Sequence, residues 1–286
     1  ISAESGYADA IGYYGTLLIV GIGCEVDIDR AIQYYKTAIS KGSSVAMNDY
    51  AFLLNEGKVV KANYKEAKKY YKMAIEKGNT EAMVNYAMML EEGEGCKVNY
   101  KEAIKYYKMA IDKGDCVAMS NYAQILQNGE GVKADPQEAI KYYKMAIDKG
   151  ETIAMHNYAD MLEYGKGVDV DYQEAIKYYK MAIDKGEPQS MNRYALMFER
   201  GKGVEVDYQE AIKYYKMAID KGEPWAMLNY GDILEYGKGV DVNYQEAIKY
   251  YKMAIDEDIP NAMYHYANML WEGIGVEVNK EEAIKY

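Results

Sequence analysis

Several residue patterns in this chain could carry chemistry. The string Gly165-Lys166-Gly167-Val168-Asp169-Val170-Asp171 sets two glycines beside a lysine, as a phosphate-binding loop does. Such a loop works only between a strand and a helix, where its backbone N–H groups and its Lys converge on phosphate oxygens. Here the stretch joins two helical segments and recurs in several places, so it reads as a turn. Asp169 and Asp171 hint at calcium, but the twelve-residue ligand pattern is absent, and Asp171 is better placed as a helix N-cap. His156 and His265 lie three repeat units apart. Helical layers are spaced by roughly 10 Å, so these two imidazoles are not expected to share a metal. Cys24 and Cys96 occupy one turn slot two units apart, too far for a disulfide. Both read as small buried hydrophobes. No nucleophile stands with a base and an orienting acid. The expectation is a chain that is not an enzyme and has no cofactor and no metal.

Composition explains why chemistry is so scarce. Of 286 residues, 33 are Tyr, against 2 Phe and 2 Trp, so some Tyr-bearing pattern must be copied many times. Half the residues are apolar and 28% are charged, which excludes a disordered chain. The longest apolar stretch, Thr16 to Gly23, is far too short to insert in a membrane. The formal charge is −11. That argues against nucleic acid, which needs a basic field, and against adsorption to anionic lipid. The three cysteines, Cys24, Cys96 and Cys116, form no disulfide framework. Sparse unpaired cysteine favours a reducing compartment, hence a cytoplasmic location. The chain begins at Ile1, so a signal peptide is neither visible nor excluded.

The copied pattern is a 36-residue unit. Tyr-Tyr-Lys starts at Tyr34, Tyr70, Tyr106, Tyr142, Tyr178, Tyr214 and Tyr250, and the glycines from Gly21 to Gly273 and from Gly42 to Gly222 keep the same step. Residues 1–6 read as the end of a preceding repeat. Full repeats follow at 7–42, 43–78, 79–114, 115–150, 151–186, 187–222 and 223–258, with a partial one at 259–286.

Each unit encodes two helices. In the unit 79–114, helix A is expected at about 80–92, started by an Asn79 cap and ended by Gly93. Equivalent caps are Ser43 and Asp115, and Pro188, Pro224 and Pro260 take the first helical position. Helix B is expected at about 100–113, where Asn99 and Glu102 have capping-box spacing. Ala82, Met83, Tyr86, Ala87, Met89 and Leu90 make one apolar stripe, and Ala103, Ile104, Tyr106, Tyr107, Ala110 and Ile111 a wider one. One pair cannot bury both stripes, but stacked pairs can. The short links make neighbours antiparallel, so the fold class is all-α, an α-solenoid read as one array over 1–286. Tyr rings suit its thin core, because the hydroxyl can still reach a polar partner.

Ala154, Asn157, Gly165, Gly167, Val168, Asp171, Ala175, Tyr178, Tyr179, Ala182 and Gly186 make the unit resemble the Sel-one-like repeat, a relative of the tetratricopeptide repeat. The resemblance covers essentially the whole chain. It implies a right-handed solenoid whose helix A lines a concave groove. Three departures stand out. Tyr158, Ala159 and Leu162 reverse the family's large and small positions, only Gly15 and Gly231 keep its close-approach glycine, and a frequent Lys is replaced by a row of Met73, Met109, Met145, Met181, Met217 and Met253.

Comparing units with one another locates the variation. Gln137–Gly150, Gln173–Gly186 and Gln209–Gly222, which carry helix B, are identical. Helix A varies in four columns represented by Glu81, Val84, Met88 and Glu92, whose offsets of three and four place them along one helical face. Either this face is specified unit by unit for a partner, or helix B was homogenised by recent duplication. The candidate partner-binding residues are Asn85, Asn121, Asn157, Tyr164, Arg193, Trp225, Asn229, Tyr236, Tyr264, His265 and Trp271. The Asn row could bond an extended peptide backbone, and inter-repeat bonding is the favoured alternative. Helix A carries Glu81, Glu91, Glu92, Asp160, Glu163, Glu199, Asp232 and Glu235 against Arg193 and Arg200, so an acidic groove and a partner with basic or neutral segments are expected.

The leading expectation is a non-enzymatic scaffold or adaptor binding a protein or peptide. The alternatives are a structural or cytoskeletal component assembling through the helix B ridge and the Met row, and an interaction region of a larger enzyme. Self-association stays open, since the Met row packs either between repeats or against another copy. Neither end carries a polar capping unit, so a segment of a longer chain is expected.

Overall fold

The computed structural model describes residues 3–286, with side chains from Gly6 onward. It is all helical, with no strand among the described residues. The chain divides at a repeat junction into two compact units, 1–151 and 152–286. The first unit holds α1 (Ala3–Val20), α2 (Ile28–Ser40), α3 (Ser44–Glu56), α4 (Tyr64–Glu76), α5 (Thr80–Glu92), α6 (Tyr100–Ile111), α7 (Cys116–Asn128) and α8 (Pro136–Asp148). The second holds α9 (Thr152–Tyr164), α10 (Tyr172–Asp184), α11 (Pro188–Arg200), α12 (Tyr208–Ile219), α13 (Pro224–Tyr236), α14 (Tyr244–Asp256), α15 (Pro260–Glu272) and α16 (Lys280–Ala283). Odd-numbered helices are helix A and even-numbered ones helix B. Within each unit every helix packs on its chain neighbours, which is the solenoid arrangement, and α3 also packs on the helix A segments α1 and α5. Among the described residues, no helix is long and apolar enough to cross a membrane.

At the start, α1 runs unbroken from Ala3 through Gly6 into the first repeat. The expected remnant's first two residues, Ile1 and Ser2, lie outside the described residues.

Local chemistry sets the helix ends. The Asn79, Asp115 and Ser43 side chains accept N–H bonds from Ala82, Ala118 and Ala46, satisfying donors that a helix start leaves unpaired. Asn99 caps α6 through the Glu102 N–H at 3.1 Å. The reciprocal half of the expected capping box is altered, since the Asn99 amide, not its backbone N–H, meets the Glu102 carboxylate. The Asn99 backbone N–H instead donates to the Leu90 carbonyl at 2.8 Å. Asp171 to Leu162 and Asn243 to Leu234 repeat that bond. It ties each helix B start to the end of its own helix A and holds the hairpin closed.

The Gly-x-Gly turn has two separate roles. Gly93 ends α5 in the left-handed region, at φ 75°. Gly203, at φ 68°, lies so close to Tyr172 of the preceding repeat that a Cβ there would overlap the Tyr172 Cβ. The Gln173 amide then donates to the Gly203 carbonyl at 2.6 Å, and Gln209 does the same to Gly239. The phosphate-loop look-alike is therefore a turn that locks one repeat onto the next.

Three Tyr columns build the core. Within a repeat, Tyr86 meets Tyr106 edge-on with centroids 5.0 Å apart, and Tyr230 meets Tyr250 at 4.9 Å. The quadrupole of the ring favours this geometry. A Lys of the preceding helix B stands over the helix A ring, as Lys108 does at 5.0 Å from Tyr122 and Lys252 at 4.9 Å from Tyr266. The other column, Tyr107, Tyr179, Tyr215 and Tyr251 among them, is fully buried. Four of its hydroxyls reach helix A carboxylates, as Tyr107 does Glu91 at 2.7 Å and Tyr215 does Glu199 at 2.6 Å, whereas Tyr143 reaches Gln127 and Tyr35 reaches Thr16. Phe in these places would bury the ring and leave the carboxylate without its donor.

Candidate partner-binding surface

The variable columns of helix A do not all face outward. The Glu92 column is exposed throughout, and the Glu81 and Met88 columns are exposed or half-exposed. The Val84 column is a correction: Asn48, Val84, Ser120, His156, Asn192 and Leu228 are all buried. These residues meet the next helix A. Asn48 accepts from Asn85 at 3.0 Å, Asn192 from Asn229 at 2.9 Å, and His156 Nδ1 is 3.0 Å from the Ser190 hydroxyl. Variation in that column adjusts repeat-to-repeat contacts. Only Tyr264, in α15, is open there, at 72% exposure.

The Asn row is engaged between repeats, as the favoured alternative expects. Asn85 and Asn229 bond as above, and Asn121 approaches the Tyr107 hydroxyl at 3.5 Å. Asn157 stands at the equivalent half-buried place in α9.

In the 152–286 unit the helix A face holds a cleft of about 510 Å³. Arg193, Trp225, Asn229 and His265, all candidates from the sequence, line it, together with Leu196 and Arg200. Trp225 is 45% exposed there. Tyr164 and Tyr236 stand on the exposed Glu92 column outside it, and Arg193 reaches the Tyr164 hydroxyl at 3.0 Å. Trp271 belongs to the carboxylate column of Glu91, and Lys280 covers its ring at 4.8 Å.

The charge of this face also differs from the expectation. Glu163 pairs with Lys202 and Glu199 with Lys238, each at 2.8 Å. Those lysines are the middle residues of the Gly-Lys-Gly turns, 39 positions along the chain. Asp160 lies 3.6 Å from Arg193. Asp232 and Glu235 share the Tyr251 hydroxyl, at 2.7 and 2.6 Å, and each lies 3.6 Å from His265 Nδ1. Helix A acids in this unit are thus largely answered from within, and Arg200 stands on the open face. The neighbouring Glu235 raises the pKa of His265, whereas burial holds that of His156 down.

Asp232, Glu235 and His265 bring one ligand atom each within 4.8 Å of one another, the kind of group that can hold a metal ion. Tyr251 already occupies both carboxylates, so internal hydrogen bonding accounts for the arrangement.

The 1–151 unit carries a second cleft on its helix A face, of about 590 Å³, which one sequence candidate, Asn85, lines. Ile19, Phe52, Leu53 and Val59 form apolar walls, and Asp49 and Glu81 supply carboxylates. Phe52 is 47% exposed. Burial and the neighbouring Glu81 push Asp49 up to about 6. Phe52 sits in a variable column and is one of two Phe in the chain, which was the available signal.

Two further expectations change. Cys96 is exposed and Cys24 half-buried, because their turn slot lies at the rim of the helix pairs and not in the core. The Met row is not buried as a set: Met145 and Met217 are 45% and 37% exposed, and the other four are half-buried.

Fold and face together define a helix-pair repeat array of the tetratricopeptide-like class. Eight successive matches to the Sel1 repeat cover residues 8–43, 44–79, 80–115, 116–151, 152–187, 188–223, 226–258 and 260–286. The chain belongs to the Sel1 repeat family. Among solved structures it is similar to c5321, a protective antigen of uropathogenic Escherichia coli strains with an SLR fold, at 26% identity and a TM-score of 0.68. That match covers 99% of this chain and 61% of the antigen, so the chain spans less than two thirds of that relative. A Sel1 repeat protein from Oxalobacter formigenes is 24% identical with a TM-score of 0.71, covering 85% of this chain and 96% of its own. An immunity protein from Pseudomonas aeruginosa, PA5088, shares the fold at 18% identity and a TM-score of 0.57, over 74% of this chain and 80% of its own. No curated protein matches the sequence. Sel1 repeats generally serve as protein-interaction scaffolds.

Proposed function

We propose that this chain is a non-enzymatic scaffold that holds a polypeptide along its helix A face, with Trp225 as an aromatic anchor. The observation that carries the reading is the cleft of the 152–286 unit. Four of its lining residues are candidates from the sequence: Trp225 from a variable helix A column, and Arg193, Asn229 and His265 from the Asn row. Exposed aromatics beside polar side chains are the usual makings of a binding hot spot. Tyr164, Tyr236 and Tyr264 extend the exposed aromatic set along the same helices.

Selection from a random peptide library on the immobilised chain tests this. Enriched peptides are expected to lose at least about tenfold in affinity with Trp225→Ala, the loss of a typical aromatic anchor. Lys177→Ala and Lys213→Ala, exposed on helix B, should leave affinity unchanged. All three positions are exposed, so each substitution is expected to change stability little, which circular dichroism of each variant checks. Failure to enrich any peptide, or equal affinity for Trp225→Ala, would remove the reading.

Exposure of Met145 and Met217 supports a second reading, in which helix B faces join copies of the chain. Sedimentation that shifts with protein concentration, and stops shifting in a Met145→Lys, Met217→Lys variant, would favour it. A concentration-independent monomer would end it.

A further inference from the structure

The cleft of the 1–151 unit is built differently from its counterpart. Its walls are apolar, and the exposed Phe52 and Val59 flank its mouth. Its charge is unanswered. Lys58 lies in the cleft but is held by Glu56 at 2.5 Å. The groups acting most strongly on Asp49 are the acids Glu81 on α5 and Asp9 on α1, with the neutral donors Asn48 and Thr16, and none is a cation. Asp9 is itself in contact with the Ser43 hydroxyl. A half-buried carboxylate beside a like charge costs stability where it stands. Asn would fill the same space without that cost, so Asp49 gains its use from something not in the free chain.

The volume fits one long side chain and its neighbours, since ligand pockets run to about 300–1,000 Å³. Apolar walls ending at an uncompensated carboxylate suit a stem of methylene groups that ends in a cation. Lys and Arg have this form, burying the stem and presenting the charge. The cleft opens on the helix A face, where a chain segment can lie across it.

Building on the helix A reading, we propose that this cleft binds a Lys or Arg side chain of a partner polypeptide. The stem lies against Ile19, Phe52 and Val59, and the cation is met by Asp49 and Glu81. The two units then present chemically different clefts: one for a basic residue in the first, and one lined by Trp225 and Arg200 in the second.

The probe is a fluorescein-labelled, terminally blocked peptide with a central lysine flanked by leucines, titrated into the whole chain by anisotropy. Twins carry norleucine or glutamate at the centre. The lysine peptide is expected to bind at least about tenfold more tightly than the norleucine twin, and the glutamate twin most weakly, as for a charge pair across an interface. Asp49→Asn should erase the lysine preference while the norleucine twin binds as before, and Phe52→Ala should weaken both. Because Asp49→Asn is expected to stabilise the free chain, its loss of binding is not a loss of folding. Equal affinity for lysine and norleucine peptides, a lysine preference that survives Asp49→Asn, or no binding up to about 1 mM peptide would overturn the proposal. If the lysine peptide fails while library peptides still depend on Trp225, this inference falls and the helix A reading stands.

Discussion

Replacing Tyr215 by Ala is expected to lower the unfolding free energy by about 3–5 kcal/mol, the cost of emptying a buried aromatic site. Tyr215 is fully buried and packs in the core of the 152–286 unit with Ala195, Ala211 and Tyr230. Its hydroxyl donates to Glu199 at 2.6 Å, and Glu199 in turn pairs with Lys238 of the next repeat. Tyr215→Phe keeps the ring and removes that donor from a largely buried carboxylate. Its expected cost is smaller, about 1–3 kcal/mol. Urea unfolding of the wild type and both variants should rank Ala as the least stable, then Phe, then Tyr. A Phe variant as stable as the wild type would contradict the account of why this chain uses Tyr where most cores use Phe.

The second large effect runs the other way. Asp49→Asn is expected to stabilise the chain at pH 7.5, by at most about 3 kcal/mol for a pKa near 6 in place of 3.8. The sign follows from proton binding. The folded state binds the Asp49 proton more tightly than the unfolded one, so the wild type loses stability as pH rises through the interval from 3.8 to about 6. Below that interval both forms are neutral at this position and the two proteins should melt together. Thermal melts at pH 3 and pH 7.5 decide it. An Asn variant no more stable than the wild type at pH 7.5 would mean that Asp49 is compensated in the free chain, and its role as an unfilled cation acceptor would lapse.

What was legible in the sequence follows from the range of the interactions. Asn79, Asp115 and Asp171 were readable as caps because their partners lie three residues away. Gly93 and Gly165 were readable because a helix end needs φ > 0 within one residue. The sign of the helix A face was not, because Lys202 and Lys238 reach their carboxylates across 39 positions. Listing acids and bases by helix assigned those lysines to the turns. The Val84 column was misplaced for a related reason. A helical wheel shows which residues share a face, but not that successive helix A segments meet along part of it. Phe52 shared a column with Asp160 and Asp232, whose side chains turn inward to Tyr hydroxyls. Its own position at the mouth of an apolar cleft depends on Ile19 of the preceding repeat and on Val59 in the turn after its own helix.

Helix B is repeated because it supplies recurring parts: a Tyr for the next turn, a Lys over the next ring and, from Gln173, Gln209 and Gln245, an amide for the next turn's carbonyl. Helix A carries what is particular, partly toward its neighbours and partly toward the open face. Substitutions on helix B should therefore report on folding, and exposed substitutions on helix A on recognition.

Site-specific photo-cross-linking tests the central claim most directly. Benzoylphenylalanine is placed singly in place of Phe52, Trp225, Lys177 or Lys213, and each protein is irradiated with library-selected peptides bound. The account predicts cross-links from positions 52 or 225 and none above background from positions 177 and 213. Cross-links confined to the helix B positions would show that the partner lies on the repeated face, and would contradict the account.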